Sequence, residues 1–338
     1  MAQPALKVLP GGSAGAPRNR FLDAWEWFRT EKEGDGCSPK TIEYYRYQVL
    51  PFLEWLARQH PEVQDFPELV ADHLRSYRAW LAKRPRRYGG QLDATTLLTS
   101  HKAIRTFLKW IQSNNRQVQM DPALLEFRRP RQPYKQAVLF DISELRSILA
   151  CCETPAEQLA VRLLVGAGLR ESELCGFCLK GPDGSPDLIP DPTEQGRFLL
   201  RVRWDGGSKG RKTRYVPISV KLAAHVKRYV AISRPTDSPY PQLLISRQGR
   251  PFKPEGVKSM MNRFKRRLGF RVHAHAFRHT YATASVQMDI NLEKLRAAMG
   301  HADYDTLLRY VKLASERPLG PAKDWAEFIY VPARSLEH

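Results

Sequence analysis

His275-Ala276-Phe277-Arg278 and, downstream, Gly300-His301 followed by Tyr310 place two imidazoles, a guanidinium and a phenol in one C-terminal segment. That combination points to chemistry on a phosphodiester. A phenol is a weak nucleophile near neutral pH, so its use requires neighbours that stabilise the phenolate and the charge growing on the phosphoryl oxygens. Arginines and protonatable imidazoles supply both.

Two further stretches upstream could join that chemistry. Gly168-Leu169-Arg170-Glu171-Ser172-Glu173-Leu174 puts an arginine at a helix start just after a glycine turn, with Glu173 one helical turn later to aim it. In isolation such a pair is also what a solvated surface ion pair looks like. Gly206-Gly207-Ser208-Lys209-Gly210-Arg211-Lys212-Thr213 resembles a phosphate-binding loop but fails the pattern, because Arg211 stands where the glycine before the Lys-Thr pair belongs. As a hairpin tip it presents Lys209, whose ammonium could protonate a departing oxygen, although exposed hairpin lysines are common.

Metal chemistry finds little support. His275 and His279 are four apart, as in zinc hydrolases, but Ala276 occupies the position of the glutamate base. Cys175-Gly176-Phe177-Cys178 is a C-x-x-C with only Cys151 and Cys152 as further thiol ligands, so buried helical thiols are the better reading. No acidic cluster suggests two-metal phosphoryl transfer, and no ATP site is evident. The expectation is an enzyme without metal or cofactor.

With 338 residues, and roughly 150 residues per domain as a guide, two domains are expected. Fifty-four Lys plus Arg against 35 Asp plus Glu leave a net charge of +19, which favours a polyanion such as nucleic acid. Residues 1–20 are rich in Ala, Gly and Pro and lack the apolar core of a secretory signal, so disorder without export is expected. Leu159 to Leu169 is interrupted by Arg162 and falls short of the ~20 apolar residues a membrane span needs. Five cysteines without a regular framework fit a reducing cytoplasm.

Apolar spacing predicts helices through Phe21, Ala24, Trp25 and Phe28, then through Ile42, Tyr45, Val49, Phe52 and Leu56 with a kink at Pro51. Two more follow, over 67–81 and 94–112. The stretch 83–87 carries Arg86 and Arg87, and the last helix carries Lys102, Arg105 and Lys109 on one face; both could meet phosphates or simply be solvated. Arg128-Arg129-Pro130-Arg131-Gln132-Pro133-Tyr134-Lys135 has the composition of an extended basic linker. Beyond it, helices are expected over 141–152 and 155–168, strands over 197–204 and 213–218, and helices again from Val220 to the end.

In order and local context, Arg170 in Gly-Leu-Arg-x-x-Glu, Lys209 in the Lys-Gly turn, His275-x-x-Arg278, Gly300-His301 and Tyr310 resemble the catalytic pattern of the tyrosine recombinases, or phage-integrase family. The resemblance runs from about Phe21 to Leu313. It implies a mainly α fold with a small antiparallel β-sheet: an N-terminal all-α, SAM-like core-binding domain over 21–127, a basic linker over 128–137, an α+β catalytic domain over 138–315, and a tail over 316–338 whose Trp325, Phe328 and Ile329 stripe docks on its own domain or on a neighbouring protomer.

By the same resemblance, Tyr310 attacks a scissile phosphate to give a 3′-phosphotyrosyl intermediate and a free 5′-hydroxyl. Arg170, Arg278 and His301 stabilise the non-bridging oxygens, Lys209 protonates the leaving oxygen, His275 accepts or relays the tyrosine proton, and Glu173 supports the site. Arg86, Arg87, Lys102, Arg105, Arg128, Arg129, Arg131 and Lys135 would contact the DNA backbone. The implied partners are double-stranded DNA with specific sites and further copies of the chain, a dimer on each site and a tetramer in synapsis. A second recombinase or accessory protein is compatible with this, a membrane is not, and the expected location is the cytoplasm at the nucleoid. The short extension leaves no room for an arm-binding domain, which suggests an Xer-like or mobile-element enzyme for integration, excision or resolution. A type IB topoisomerase shares the phosphotyrosine constellation, but the core-binding domain and length argue against it; a DNA-binding regulator would have lost a catalytic position.

Overall fold

A computed structural model of the chain describes residues 20–85, 92–114, 119–126, 137–203, 213–300 and 305–330. Two compact units, Met1–Lys135 and Gln136–His338, emerge from it. The N-terminal unit is all-helical among the described residues: α1 (Arg20–Gly34), α2 (Pro39–Gln59), α3 (Ala71–Lys83), α4 (Ala94–Asn114) and the short α5 (Pro122–Glu126). Ser38 caps α2 by accepting from the Thr41 N–H, and the helix continues through Pro51. The apolar stripes meet in an aromatic core. Phe28 is fully buried and meets Tyr45, Phe107 and Trp110 edge-on, with centroids 5.1–5.4 Å away. The expected helix over 67–81 begins later, because Asp65 and Glu68 first close a 3-10 turn, Phe66–Glu68, by mutual capping.

In the C-terminal unit, α6 (Ile142–Ala150) and α7 (Pro155–Ala167) match the predicted helices, capped by Asp141 and Thr154. The inner residues of α7, from Leu159 to Val165, are buried on nearly every side, so it forms the centre of the core with α11 (Ala274–Gln287) packed beside it. The turn into α8 (Glu171–Cys175) follows directly. Three antiparallel strands, β1 (Leu188–Pro190), β2 (Phe198–Val202) and β3 (Arg214–Ile218), lie in that order. Leu200 pairs with Val216 and Val202 with Arg214, so the alternation of β3 turns Arg214, Val216 and Ile218 inward.

Two expectations need correction. The sheet has three strands instead of two, since the three-residue β1 carries too little alternation to be read from sequence. Helices do not run unbroken from Val220. After α9 (Val220–Arg228) and a π-helical turn, Tyr229–Ser233, residues 234–253 form a non-helical excursion held by the bridges Cys178↔Gln242 and Ile245↔Pro251. The prolines at 235, 239, 241 and 251 prevent helix there. Helices resume with α10 (Pro254–Leu268), α11, α12 (Leu292–Met299), α13 (Asp305–Glu316) and α14 (Ala322–Trp325). Trp325, Phe328 and Ile329 are buried in the core of this same unit, and the Trp325 indole donates to the Leu319 carbonyl at 3.2 Å.

Gly168 ends α7 at φ +58°, and a Cβ there would stand 2.4 Å from the Tyr281 ring. Only glycine satisfies both constraints. Gly168→Ala is expected to lower stability by about 2 kcal/mol or more through backbone strain and overpacking, read as a shifted urea midpoint.

Candidate active site

The αL turn at Gly168 delivers Arg170 to the N-cap of α8, in extended conformation. Glu173, at the third helical position, accepts from the Arg170 backbone N–H at 2.8 Å and from its guanidinium at 2.7 Å. The pair read in the sequence is therefore a built feature: the Glu173 side chain is completely buried and Arg170 retains 22% exposure. A second guanidinium reaches the same carboxylate. Arg214, on the inward face of β3, donates to Oε1 at 2.9 Å and Oε2 at 2.8 Å, and through Nε to the Ala298 carbonyl at 2.6 Å. This bidentate fork fastens the start of β3 to α8 and to the end of α12. Gly300 follows at φ +63°, and a Cβ there would crowd Arg214 at 3.1 Å.

The sequence reading missed Arg214. Its signal was nevertheless present: in the alternation Arg214-Tyr215-Val216-Pro217-Ile218, the arginine shares the apolar face. A charge at such a register needs a buried partner.

Arg278, on α11, is 1% exposed and donates to the carbonyls of Gly168, at 2.6 Å, and Met299. It thereby links the turn before Arg170 to the end of α12. Burial, then the charge of Arg170, push the Arg278 pKa down to about 10, still fully cationic at neutral pH. Three guanidiniums thus converge around one carboxylate, an excess of positive charge that a phosphate would neutralise.

Burial raises the Glu173 pKa, but the hydrogen bonds and charge of Arg214, together with Arg170, outweigh it and hold the carboxyl at about 2. A depressed carboxyl stabilises the fold fully above its ordinary value of 4.5 and loses that contribution as pH falls through 2. Acid unfolding should accordingly contain a Glu173-dependent phase in that window. Glu173→Ala should abolish the phase and cost about 3–5 kcal/mol in a urea melt near neutral pH, since it strands the buried Arg214 and the partly buried Arg170.

Tyr310, on α13, is 2% exposed, and its hydroxyl lies 3.2 Å from Nδ1 of His279. Burial raises the phenol pKa, and the charges of Arg278, Arg309 and Arg170 offset only part of that rise. His275 packs edge-on against His279, ring centroids 4.3 Å apart, one helical turn earlier on α11. Burial and the neighbouring cations lower the pKa of both imidazoles, that of His279 to about 4, so both are neutral near pH 7.

The structure therefore brings together Arg170, Glu173, Arg278, His275 and Tyr310 from α8, α11 and α13. Lys209 and His301 lie outside the described residues, as do Arg86, Arg87, Arg128, Arg129, Arg131 and Lys135. Lys102 is exposed and Arg105 half-buried on α4. Cys175 is half-buried and Cys178 buried, its thiol donating to the Gly176 carbonyl at 3.3 Å. Burial, then the nearby carboxylates Glu171 and Glu255, push the Cys175 thiol up to about 12, which keeps it protonated and inert. In the N-terminal unit, His60, Glu62 and His73 sit close enough to share an ion. There Nδ1 of His73 accepts the Val70 N–H at 3.1 Å, and Nδ1 of His60 faces Glu62 at 3.1 Å. Among the described residues, no helix is long and apolar enough to cross a membrane.

The phage integrase family profile matches residues 139–317, and that of the phage integrase N-terminal SAM-like domain matches residues 25–117. The chain is 30% identical to tyrosine recombinase XerA of Thermococcus onnurineus (strain NA1), over 90% of this chain and 95% of the relative. It is also 30% identical to tyrosine recombinase XerC of Methylobacterium nodulans, over 90% and 92% respectively. Among solved structures, the XerH site-specific recombinase bound to palindromic difH substrate, in a post-cleavage complex, shares the fold with a TM-score of 0.64 at 18% identity, covering 85% of this chain and 80% of that one. The buried arginine-carboxylate cluster facing a phenol belongs to a unit matched by one profile, and the helical unit before it is matched by the other: the chain is a member of the phage integrase family, a site-specific tyrosine recombinase of the Xer type.

Proposed function

We propose that this recombinase cuts and rejoins duplex DNA with Tyr310 as nucleophile, forming a 3′-phosphotyrosyl ester and releasing a 5′-hydroxyl. The observation that carries the reading is the phenol held in the electrostatic field of Arg278 and Arg170, the latter tied to the buried Glu173. Guanidinium donors suit the non-bridging oxygens of a phosphodiester, whose charge grows in the pentacoordinate transition state. The bond energy is retained in the ester, so rejoining needs no external energy source.

Lys209, in the segment of chain that joins β2 to β3, is the acid for the leaving 5′-oxygen, and His301 adds a hydrogen bond to the phosphate. Arg214 and Glu173 position Arg170 and the start of β3. The N-terminal unit and the catalytic unit bind the duplex together, with Lys102, Arg105 and the basic stretch 128–135 on its backbone, and copies of the chain pair on DNA, two on each site and four in synapsis. Many phosphate contacts make binding steeply salt-dependent. These assignments draw support from the site geometry, the net charge of +19 and relatives whose solved structures hold DNA.

The test is trapping on nicked duplexes that carry candidate sites from the DNA flanking the gene, resolved on a denaturing gel. Adduct on particular sequences supports the reading. Adduct on any duplex would instead favour topoisomerase-like relaxation, and binding without adduct on any sequence would overturn the catalytic assignment.

A further inference from the structure

We propose that His60, Glu62 and His73 form a binding site for a divalent transition-metal ion, Zn²⁺ first among them, in the N-terminal unit. His60 caps the C-terminus of α2, Glu62 stands in the turn behind it, and His73 is the third residue of α3. One ligand atom from each lies within 4.8 Å of the other two. The Glu62 carboxylate and Nδ1 of His60 are already 3.1 Å apart, close to the ~3.4 Å edge of a tetrahedron with ~2.1 Å bonds. The rings of His60 and His73 meet edge-on with centroids 4.5 Å apart. Closing the remaining edges asks for movements of about 1.5 Å at most, which side-chain rotation supplies.

The connection between α2 and α3 holds these residues in place. Val63, Phe66 and Leu69 are buried in the core of the unit, the Val63 N–H donates to the His60 carbonyl at 3.0 Å, and Asp65 and Glu68 close the 3-10 turn between. An ion therefore meets ligands whose backbone is already ordered, which lowers the cost of binding. Two imidazoles and one carboxylate form a borderline donor set that suits Zn²⁺, with water in the fourth position. Burial, then His60, lowers the His73 pKa, and a backbone hydrogen bond, then His60, lowers that of Glu62; a neutral ring and an ionised carboxylate are the forms a metal takes. Nδ1 of His73 accepts the Val70 N–H, so the neutral ring carries its proton on Nε2. An ion at Nδ1 displaces that N–H, and an ion at Nε2 drives the proton onto Nδ1, so either mode ends the Val70 bond. Val70 is 41% exposed, and water takes over its N–H. The bound ion clips the end of α2 to the first turn of α3 and stabilises the helical unit by mass action.

The test is calorimetric titration of zinc chloride into full-length protein that carries no affinity tag, is kept reduced and has been stripped with a chelator. Wild type is compared with His60→Ala, Glu62→Gln and His73→Asn. The Asn amide oxygen keeps an acceptor for the Val70 N–H, so α3 retains its first turn. Glu62 is exposed, so Glu62→Gln keeps the fold and the comparison stands even where a histidine variant does not. The expected result is one ion per chain that each variant binds about tenfold or more weakly, together with a melting temperature that zinc raises in wild type alone. In isotope-labelled wild type, the Val70 amide resonance should move as zinc is added. No uptake by wild type overturns the proposal. An isotherm unchanged in all the variants that fold overturns it as well, because the ion then sits on other groups such as the cysteines. A Val70 resonance that zinc leaves in place removes His73 from the ligand set, and the site with it.

Discussion

Tyr310→Phe is expected to bind the same duplexes as wild type with the same salt dependence and to form no covalent adduct at all. The substitution keeps the ring that fills the space beside His279 and removes only Oη, so the fold loses one hydrogen bond, worth about 0.5–1.5 kcal/mol. The chemistry loses its attacking atom, for which no neighbour substitutes. Tyr281, the other described phenol on this side of the unit, is buried against Gly168 with its pKa pushed up to about 12, first by burial. Its packing against Gly168 and its strongly raised pKa unfit it to replace Tyr310. A gel-shift assay alongside a denaturing gel separates the two effects, and an adduct persisting in the variant would move the nucleophile elsewhere in the chain.

Arg278→Ala should be damaging twice over. Loss of the guanidinium removes transition-state stabilisation of order 3 kcal/mol or more, a fall of over a hundredfold in adduct rate. It also leaves the Gly168 and Met299 carbonyls buried without their donor, at about 1–3 kcal/mol each, and empties the space of a side chain that is 1% exposed. Arg278→Lys separates the two contributions. A lysine keeps the positive charge but cannot reproduce the planar fork, so it should recover part of the stability in a urea melt and little of the rate. Cleavage within threefold of wild type in Arg278→Ala would exclude the arginine from the phosphate clamp.

The two arginines illustrate how differently a charge can be read from a sequence. Arg170 and Glu173 were visible as a pair because they are three residues apart on one helix turn, a spacing that geometry alone brings together. What spacing could not reveal was that the carboxylate is fully buried and shared with Arg214, 41 residues further on. Likewise His275 stands out through its place in His-x-x-Arg, whereas the contact with the Tyr310 hydroxyl belongs to His279, which the sequence offers only as half of an imperfect zinc motif.

Local and compositional features are legible in the chain alone: the amphipathic helices of the N-terminal unit, the glycine turn before Arg170, the basic charge, and the order of residue types that marks the family. These follow from periodicities and dihedral limits acting over a few residues. The tertiary structure alone decided which imidazole meets the phenol, that Arg214 shares Glu173, that a third strand completes the sheet, and that the Trp325–Ile329 stripe packs into its own unit. Each depends on residues tens of positions apart being buried against one another. There the cost of leaving a charge or a polar group unpartnered selects the neighbour, and one-dimensional spacing carries no record of that choice.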